Sequence, residues 1–371
     1  MSALVQSTDA RVESIDVGAY SIPTAIEEES DGTLIWDSTS IVVVELGCGE
    51  HTGLGYTYCH PSAAQVISSK LADIIRGADP LMPQKVWAQM QMQARQLGHT
   101  GIAAMAISAV DVALWDLKAK LLGVCLADAL PRYREQVPIY GSGGFCNYTE
   151  PQLRDQVQGW IDSGFHSVKI KVGRDSHADP DRVKLVRSLV GDDVEVMVDA
   201  NGAHAPQDAV LWARRYRDLA DVSYFEEPVS SDDLTGLAYV RERAPAGLAV
   251  AAGEYGFNLP YFERMLDAHA VHILQADVTR CGGITNLLRV DGLCKARCLP
   301  FSAHCAPAIS AHACCAMETV IHIEYFFDHY RIERLLFDGT LDPHDGLLTP
   351  DRSRHGLGLE LKRQDAHRYQ I

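Results

Sequence analysis

Two lysines on one predicted strand are the first residues whose spacing suggests chemistry. In the segment HSVKIKV, the twofold period of a strand sends Lys169 and Lys171 to one face and Val168, Ile170 and Val172 to the other. Inside an enclosed site, mutual repulsion and lost hydration both disfavour the ammonium form. We therefore expect lowered amine pKa values, which suit a general base near neutral pH. A solvated strand end with two surface lysines explains the same pattern.

Three acids stand at the ends of the next three predicted strands. They are Asp199 in VEVMVDAN, Glu226 in VSYFEEP and Glu254 in LAVAAGE. Converging anions require a cation, and ligation by oxygen alone suits a hard divalent ion, so we expect Mg²⁺. Strand parity places Glu227 on the face opposite to Glu226, which favours Glu226 as the ligand. Each acid taken alone is equally well explained as a helix cap or an ion-pair partner.

The later strands supply a histidine and two further acids. Asp277 ends HILQAD, His304 ends LPFSAH, and Glu324 lies in HIEY with His322 as a lower-ranked candidate two residues before it. A carboxylate on one imidazole nitrogen fixes the tautomer and raises the pKa of the ring, so an Asp277 and His304 pair predicts a competent acid or base. A structural histidine remains the alternative explanation.

These residue types together fit the removal of a proton α to a carboxylate. Such a proton is very weakly acidic, and its removal builds a second negative charge on the substrate oxygens. We expect Mg²⁺ and a protonated Glu324 to stabilise the resulting enediolate while Lys171 takes the proton. His304 on the other face would then reprotonate the carbon or protonate a departing β-hydroxyl.

Eight predicted strands must position these residues. After Pro138, short β-branched runs alternate with amphipathic helices, which is typical of a parallel sheet with crossover helices. The polar residues at the strand ends recur roughly every 20 to 30 positions, which is the length of one strand and one helix. This spacing predicts an α/β fold with a (β/α)8-type barrel over residues 133–340. A doubly wound open sheet is disfavoured, because GSGGF after the first strand only weakly imitates GxGxxG. The strand segments are VPIYGSG, SVKIKVG, VEVMVDAN, VSYFEEP, LAVAAGE, AVHILQAD, LPFSAHC and TVIHIEY.

The remaining sequence predicts an N-terminal α+β domain over residues 1–132. Two β-rich runs, 11–21 and 40–47, flank a polar connection, and the pattern is helical from 62 to about 130. Residues 341–371, rich in Asp, Arg and Gly, are expected to pack back on this domain.

Composition excludes several classes of partner. With 49 acidic and 33 basic side chains the net charge is −16, which disfavours a nucleic-acid partner. The most apolar stretch, residues 101–124, carries four charges and is too polar to span a membrane. The opening MSALVQSTDARVES lacks a secretion signal, and the ten cysteines form no CxxC pair, so we expect a cytoplasmic protein with reduced thiols.

In this order along the chain, Lys-x-Lys, DAN, FEEP, AGE, QADVTRCGGIT, SAH and a late Glu resemble the enolase superfamily. More narrowly, they resemble its mandelate racemase subgroup, which includes many acid-sugar dehydratases, and ISAVDVALWDLKAKLLG is similar to the capping domain of that group. The resemblance implies an enolase-like modified barrel with an N-terminal capping domain. Asp277 stands where the muconate-lactonising branch has a lysine, and mannonate-dehydratase-like relatives usually lack the paired lysines.

The resemblance also assigns roles by position. It implies Asp199, Glu226 and Glu254 as Mg²⁺ ligands. It implies Lys171 as the base on one face, with Lys169 beside it. On the other face it implies the dyad of His304 and Asp277, with Glu324 hydrogen-bonded to the substrate carboxylate. Relatives are commonly homo-oligomers, so we expect one here.

Specificity in this group lies partly in loops of the capping domain, here residues 24–38 and about 53–61. These loops and their edges are polar, which suits a polyhydroxy acid better than an aromatic one. We expect substrate contacts from Asn201, Trp36, Tyr56 and His51. The other polar loop residues are Glu27, Glu28, Glu29, Asp31 and His60.

The leading interpretation is a Mg²⁺-dependent dehydratase that converts a small-molecule sugar acid, an aldonate or aldarate, to a 2-keto-3-deoxy acid. Racemisation or epimerisation of a 2-hydroxy acid and lactone cycloisomerisation are the alternatives, because the same residues serve all of these reactions. A Schiff-base aldolase using Lys169 or Lys171 without a metal, or a non-catalytic binding protein, is a more distant interpretation.

Overall fold

The N-terminal domain is built on a three-stranded antiparallel sheet. The computed structural model describes residues 10–371; the expectation of no secretion signal depends largely on residues 1–9, which lie outside that range. The sheet has the order β1, β4, β5, and the chain between β1 and β4 forms a small hairpin of β2 and β3. The strands are β1 (Ser14–Pro23), β2 (Glu29–Ser30), β3 (Ile35–Trp36), β4 (Ser38–Cys48) and β5 (His51–Tyr58).

Strand β5 corrects the expectation of a loop at about residues 53–61 as far as Tyr58, and only residues 59–61 form a connection. It pairs with β4 along its whole length, and its glycines allow a helix to lie directly on the sheet. A Cβ atom on Gly55 would lie 2.1 Å from the carbonyl oxygen of Ala109 on that helix. Glycine in this segment therefore marks close packing of backbone against backbone, and not a turn.

Most helices of this domain share a hydrophobic core with one face of the sheet, the face that carries Val42, Val44 and Leu46. They are α1 (Ser62–Val66), a π-helical turn (Ile67–Leu71), α2 (Ala72–Ile75), α3 (Pro83–Gln93), a 3-10 turn (Ala94–Gln96), α4 (Ile102–Leu122) and α5 (Leu126–Ala129). Helix α4 is apolar on nearly all sides and is almost fully buried, as expected for a helix covered on every face. It ends at Gly123, which adopts the left-handed conformation of a helix C-terminus.

Two buried acids on α4 join this domain to the rest of the chain. Asp111 accepts hydrogen bonds from the backbone N–H and the hydroxyl of Thr285 at 2.8 and 2.7 Å. Asp116 accepts from the backbone N–H groups of Leu54 and Leu357, each at 2.6 Å. Their burial is compensated by these bonds, so both acids have structural roles.

Eight parallel strands form the predicted barrel. They follow one another in sequence order around the ring, and pairing of the last strand with the first closes it. The strands are β6 (Val137–Gly143), β7 (Ser167–Lys171), β8 (Glu195–Asp199), β9 (Tyr224–Glu226), β10 (Ala249–Ala252), β11 (Ile273–Asp277), β12 (Phe301–His304) and β13 (Val320–Phe326). The (β/α)8-type barrel with an N-terminal capping domain is therefore confirmed.

A helix follows each barrel strand and covers the outside of the ring. Polar caps define several helix starts: Thr149, Asp233 and Asn258 each accept a backbone N–H from the first turn. The helices are α6 (Glu150–Asp162), α7 (Asp179–Val190), α8 (Pro206–Ala220), α9 (Leu234–Arg243), α10 (Leu259–Asp267), α11 (Ile284–Ala296), α12 (Pro307–Cys314) and α13 (Phe327–Leu336).

The C-terminal segment runs back along the molecule. Strand β15 (Leu347–Leu348) pairs antiparallel with the N-terminal end of β6, and Arg363 lies 2.8 Å from Glu45 on β4. The backbone N–H of Ile371 donates to Ala19 at 3.0 Å. The elements are β14 (Phe337–Asp338), β15 (Leu347–Leu348), β16 (Glu360–Leu361), α14 (Arg363–Ala366) and a 3-10 turn (His367–Tyr369). Between residues 10 and 371, the helices lack the combination of length and apolarity needed to cross a bilayer.

Candidate active site

Three acids meet at the C-terminal ends of adjacent barrel strands. Asp199 ends β8 and is paired in register with Glu226 at the end of β9, and Glu254 lies two residues beyond β10. One carboxylate oxygen from each lies within 4.8 Å of the others, and all three side chains are buried. Burial and the neighbouring charge of Asp199 raise the pKa of Glu226 to about 8.

This acid cluster has the donor set of a hard divalent cation. All of its donors are carboxylate oxygens, which Mg²⁺ and Ca²⁺ prefer. The Oε1 atom of Glu226 is buried and has no hydrogen-bond partner among the described residues. A buried, unpaired carboxylate oxygen is costly, and a metal ion would compensate it. Asp199, Glu226 and Glu254 therefore fit a Mg²⁺ ion.

The two lysines of β7 lie against this cluster, as the strand period predicts. Lys169 Nζ is 2.5 Å from Glu226 Oε2 and 2.8 Å from Glu324 Oε1, while Lys171 Nζ is 2.5 Å from Asp199 Oδ2. Both amines are buried. The solvated strand end is excluded as an explanation.

The prediction of lowered lysine pKa values is wrong for this structure. Burial by itself lowers the pKa of Lys169, but the charges of Glu226 and Glu324 raise it well above its ordinary value. Burial likewise lowers the pKa of Lys171, and the charge of Asp199 more than offsets this, so the net shift is upward. Repulsion between the two amines is smaller than the attraction of the acids around them.

Glu324 joins the site across the seam that closes the barrel. It accepts hydrogen bonds from Ser142 Oγ on β6 at 2.6 Å and lies beside Lys169. Burial raises the pKa of Glu324, but the charges of Lys169, His304 and Lys171 lower it below its ordinary range. The expectation of a protonated Glu324 is therefore corrected: its cationic neighbours keep the carboxylate ionised.

His304 lies between two carboxylates, on the side of the acid cluster opposite to the two lysines. Its Nδ1 atom is 2.8 Å from Asp277 Oδ2, and its Nε2 atom is 2.9 Å from Glu254 Oε2. Asp277 is held in place by the backbone N–H and hydroxyl of Thr279 at 2.6 and 2.7 Å. Burial lowers the pKa of His304, but surrounding acidic groups, including Cys305 and Glu254, raise it well above its ordinary value.

Two residues to which the sequence interpretation assigned no role in the site also lie here. Cys305 follows His304 directly, and its Sγ is 3.2 Å from His304 Nε2 and 3.3 Å from Glu324 Oε2. Arg280 extends from the loop after β11 to Glu254 Oε1 at 3.4 Å and Asp277 Oδ2 at 3.5 Å. Adjacency to His304 was a usable signal for Cys305, and the segment DVTRCGG already contained Arg280.

Of the four expected substrate contacts, two reach the cavity over these groups. Trp36 and Asn201 line a cavity of about 410 Å³ together with Lys171, Glu254 and His304.

Tyr56 and His51 do not line this cavity. Tyr56 is buried in the core, and its hydroxyl donates to Glu333 Oε1 at 2.5 Å. His51 is exposed at the start of β5, at the opposite end of that strand from the cavity-lining Tyr58. Both expectations are corrected, because the segment taken for a loop is a strand that fixes their directions.

Comparison with known proteins gives two family matches. Residues 152–366 match the family described as enolase C-terminal domain-like, and residues 32–130 match the N-terminal domain of mandelate racemase and muconate lactonizing enzyme. Curated relatives include both sugar-acid dehydratases and cycloisomerases.

Individual relatives cover almost the whole chain. A mandelate racemase/muconate lactonizing enzyme-like protein from Rubrobacter xylanophilus is 56% identical, with a TM-score of 0.95 over 97% of this chain and 100% of that one. The 3,6-anhydro-alpha-L-galactonate cycloisomerase of Streptomyces coelicolor is 32% identical over 94% of this chain and 96% of its own.

A third relative was solved with ligands. L-talarate/galactarate dehydratase from Salmonella typhimurium LT2, liganded with Mg and L-lyxarohydroxamate, is 27% identical with a TM-score of 0.88 over 99% of this chain and 94% of that one. Motifs, fold and comparisons thus agree: the chain belongs to the mandelate racemase subgroup of the enolase superfamily.

Proposed function

We propose that this protein is a Mg²⁺-dependent lyase that dehydrates a sugar acid to a 2-keto-3-deoxy acid. The observation that carries the proposal is a cluster of three buried acids between a lysine pair and a histidine–aspartate pair. Asp199, Glu226 and Glu254 would hold the ion. When bound, Mg²⁺ would offset negative charge that develops on the substrate carboxylate as the α-proton leaves.

The side chains have separate tasks in this reaction. Lys171 accepts the proton from the α-carbon, and the electron pair of the broken C–H bond forms the enediolate. The enediolate then collapses as the bond from the β-carbon to its hydroxyl breaks. His304 gives its proton to that hydroxyl, which leaves as water, and the resulting enol tautomerises to the 2-keto acid.

The proposed roles require a protonated His304 and a neutral Lys171. The surrounding acidic groups outweigh the effect of burial and raise the pKa of His304, so the ring begins the reaction protonated. Lys171 must be neutral to accept a proton, whereas its ion pair with Asp199 favours the ammonium form. That ion pair therefore has to weaken before the proton moves.

Lactone cycloisomerisation is the second candidate. It is favoured by the sequence identity of 32% to the cycloisomerase from Streptomyces coelicolor. The two reactions share the first proton abstraction and differ in whether the β-leaving group departs as water or as part of a ring.

Two measurements separate the candidates. A colour test for 2-keto acids across a panel of sugar acids and their lactones, with Mg²⁺ present, should give a keto acid with at least one open-chain substrate. Proton NMR in D₂O should show loss of the α-hydrogen. Exchange without a keto acid product would contradict dehydration. Activity that survives EDTA, with a lysine adduct trapped by borohydride, would favour the aldolase interpretation instead.

A further inference from the structure

The cavity over the acid cluster has two chemically different walls. One wall carries the metal-binding and proton-transferring side chains at the barrel strand ends. The other comes from the capping domain and the start of α13, and it presents hydroxyls, an indole and two acids. The residues of this second wall are Asp31, Trp36, Ser38, Thr39, Ser40 and Asp328.

The cations of the cavity are already engaged with acids of the first wall. Among the described residues that line it, the lysine and arginine side chains are Lys171 and Arg280. Lys171 Nζ is 2.5 Å from Asp199, and Arg280 lies 3.4 Å from Glu254 and 3.5 Å from Asp277. Both cations are thus already paired with acids of the first wall, and the proposed mechanism uses Lys171 at the α-carbon and not at the far end of the substrate.

Of the two remaining histidines that line the cavity, one is buried and the other lies at the rim. His329 stacks on Tyr58 with ring centroids 3.4 Å apart, and burial lowers the pKa of its ring to about 3, so it is neutral. His60 lies exposed at the rim, with its Nδ1 2.9 Å from Ser62 Oγ.

The two acids of the second wall are fixed in position. Asp31 Oδ1 accepts the backbone N–H groups of Thr33 and Leu34, each at 2.6 Å. The next residue, Gly32, rests directly on the barrel mouth: a Cβ atom there would lie 2.3 Å from the carbonyl oxygen of Ala200. Asp31 therefore cannot turn away from the cavity without losing the hydrogen bonds from Thr33 and Leu34.

Asp328 is held by the same loop from the other side. Its Oδ2 accepts Trp36 Nε1 and Thr39 Oγ1, both at 3.3 Å, and Arg331 lies 3.4 Å from its Oδ1. The second wall therefore offers acceptors and hydroxyls to a polyol. A second carboxylate would instead face Asp31 and Asp328, and the lysine and arginine among the described lining residues are already paired with acids.

We infer that the substrate carries a single carboxyl group and an uncharged polyol tail, an aldonate or a closely related monocarboxylate, and is not an aldarate. The inference rests on the proposed function and narrows its substrate class. It distinguishes this chain from the talarate/galactarate dehydratase to which it is similar, whose name states two dicarboxylate substrates.

The test compares matched pairs that differ only at the far terminus. The magnesium-loaded protein is assayed for 2-keto acid with D-galactonate against galactarate, D-gluconate against D-glucarate, and L-arabinonate against L-arabinarate. We expect kcat/KM to favour the monocarboxylate by at least about tenfold in any pair that reacts. Preferential turnover of an aldarate would overturn the inference and leave the proposed function intact. Absence of keto acid and of α-hydrogen exchange across all pairs would overturn the proposed function itself, and the inference with it.

A matched pair of variants tests whether the second wall causes the preference for a monocarboxylate. Asp31→Asn keeps the Oδ1 acceptor for the loop N–H groups and removes one charge from the cavity, so the ratio of aldarate to aldonate turnover should rise several-fold. Glu50→Gln makes the same charge change at an exposed position of the capping domain outside the specificity loops and should leave that ratio unchanged. An unchanged ratio in Asp31→Asn, with normal folding, would count against the role of this wall.

Discussion

The Nδ1 atom of His304 lies 2.8 Å from Oδ2 of Asp277, and this contact holds the ring so that its other nitrogen faces the acid cluster. Asp277→Asn should therefore lower kcat by about 10²–10⁴-fold, because an amide neither favours the protonated ring nor fixes its tautomer. Exchange of the α-hydrogen, which we assign to Lys171, should fall much less. Steady-state kinetics and NMR in D₂O measure the two rates. Asp267→Asn, an exposed change of the same kind, serves as the control.

Lys171→Ala should abolish exchange of an α-hydrogen that faces β7 while magnesium still binds. In the proposed mechanism the amine accepts the proton, whereas the carboxylates that would hold the ion lie on other strands. Exchange by NMR and calorimetric titration with Mg²⁺ test both halves of the statement. Lys184→Ala, at an exposed position on α7, controls for loss of a positive charge. Undiminished exchange in Lys171→Ala would show that another group is the base.

Loss of a residue that only hydrogen-bonds to a metal ligand weakens metal binding by roughly 10–100-fold. Glu226→Gln should weaken Mg²⁺ binding by more than this. The amide keeps one oxygen but loses the charge that the ion requires. Titration calorimetry with the metal alone gives the affinity without reference to activity. Glu263→Gln, an exposed change on α10, should bind Mg²⁺ as the natural chain does. Equal affinity in Glu226→Gln would remove this residue from the ligand set.

Tyr56→Phe should destabilise the protein by about 1–3 kcal/mol, because it leaves the buried Oε1 of Glu333 without its donor. The KM for the substrate should not change, since the hydroxyl points into the core. Denaturant unfolding and steady-state kinetics give the two readouts, and Tyr133→Phe at an exposed site is the control. A raised KM with unaltered stability would restore Tyr56 to the substrate contacts.

Glu29→Gln should flatten part of the dependence of stability on pH. Burial, followed by the charge of Asp328, raises the pKa of Glu29 from its ordinary value of 4.5 to about 9. When folding raises the pKa of a carboxyl group, its contribution to stability is fully present at pH values below the pKa of the unfolded state. That contribution is lost as the pH rises through the pKa of the folded state. The free energy of unfolding of the natural chain should therefore fall relative to that of Glu29→Gln between about pH 4.5 and 9.

Urea unfolding at several pH values measures this difference. Glu28→Gln, on the exposed neighbouring residue, should follow the natural chain throughout. A constant difference between Glu29→Gln and the natural chain over the whole range would mean that Glu29 does not change its ionisation in that window.

The barrel and the residues at its strand ends were predictable because parallel strands impose a simple rule. Twofold alternation decides which side chains face inward, and the C-terminal ends of all eight strands meet at one rim. Lys169, Asp199 and His304 lie on strands separated along the chain, and their parity together with their positions near the strand ends placed them at one site.

The electrostatics could not be predicted in the same way. The pKa values of Lys171 and Glu324 depend on distances to partners on other strands, and strand parity contains no distances. Tyr56 was misplaced for a different reason: HTGLGYTY has the glycines of a turn, and only the packing of α4 shows why a strand needs them. A homo-oligomeric state and a cytoplasmic location stay predictions.

The hydrogen bond from Ser142 to Glu324 joins the first barrel strand to the last across 182 positions of sequence. During synthesis on the ribosome, Ser142 emerges long before Glu324, so the pocket stays incomplete until β13 has been synthesised. Both lysines and the three clustered acids precede that strand in the chain, yet the group that accepts from Ser142 arrives only with it. The pocket therefore depends on the last strand of the barrel as much as on the first.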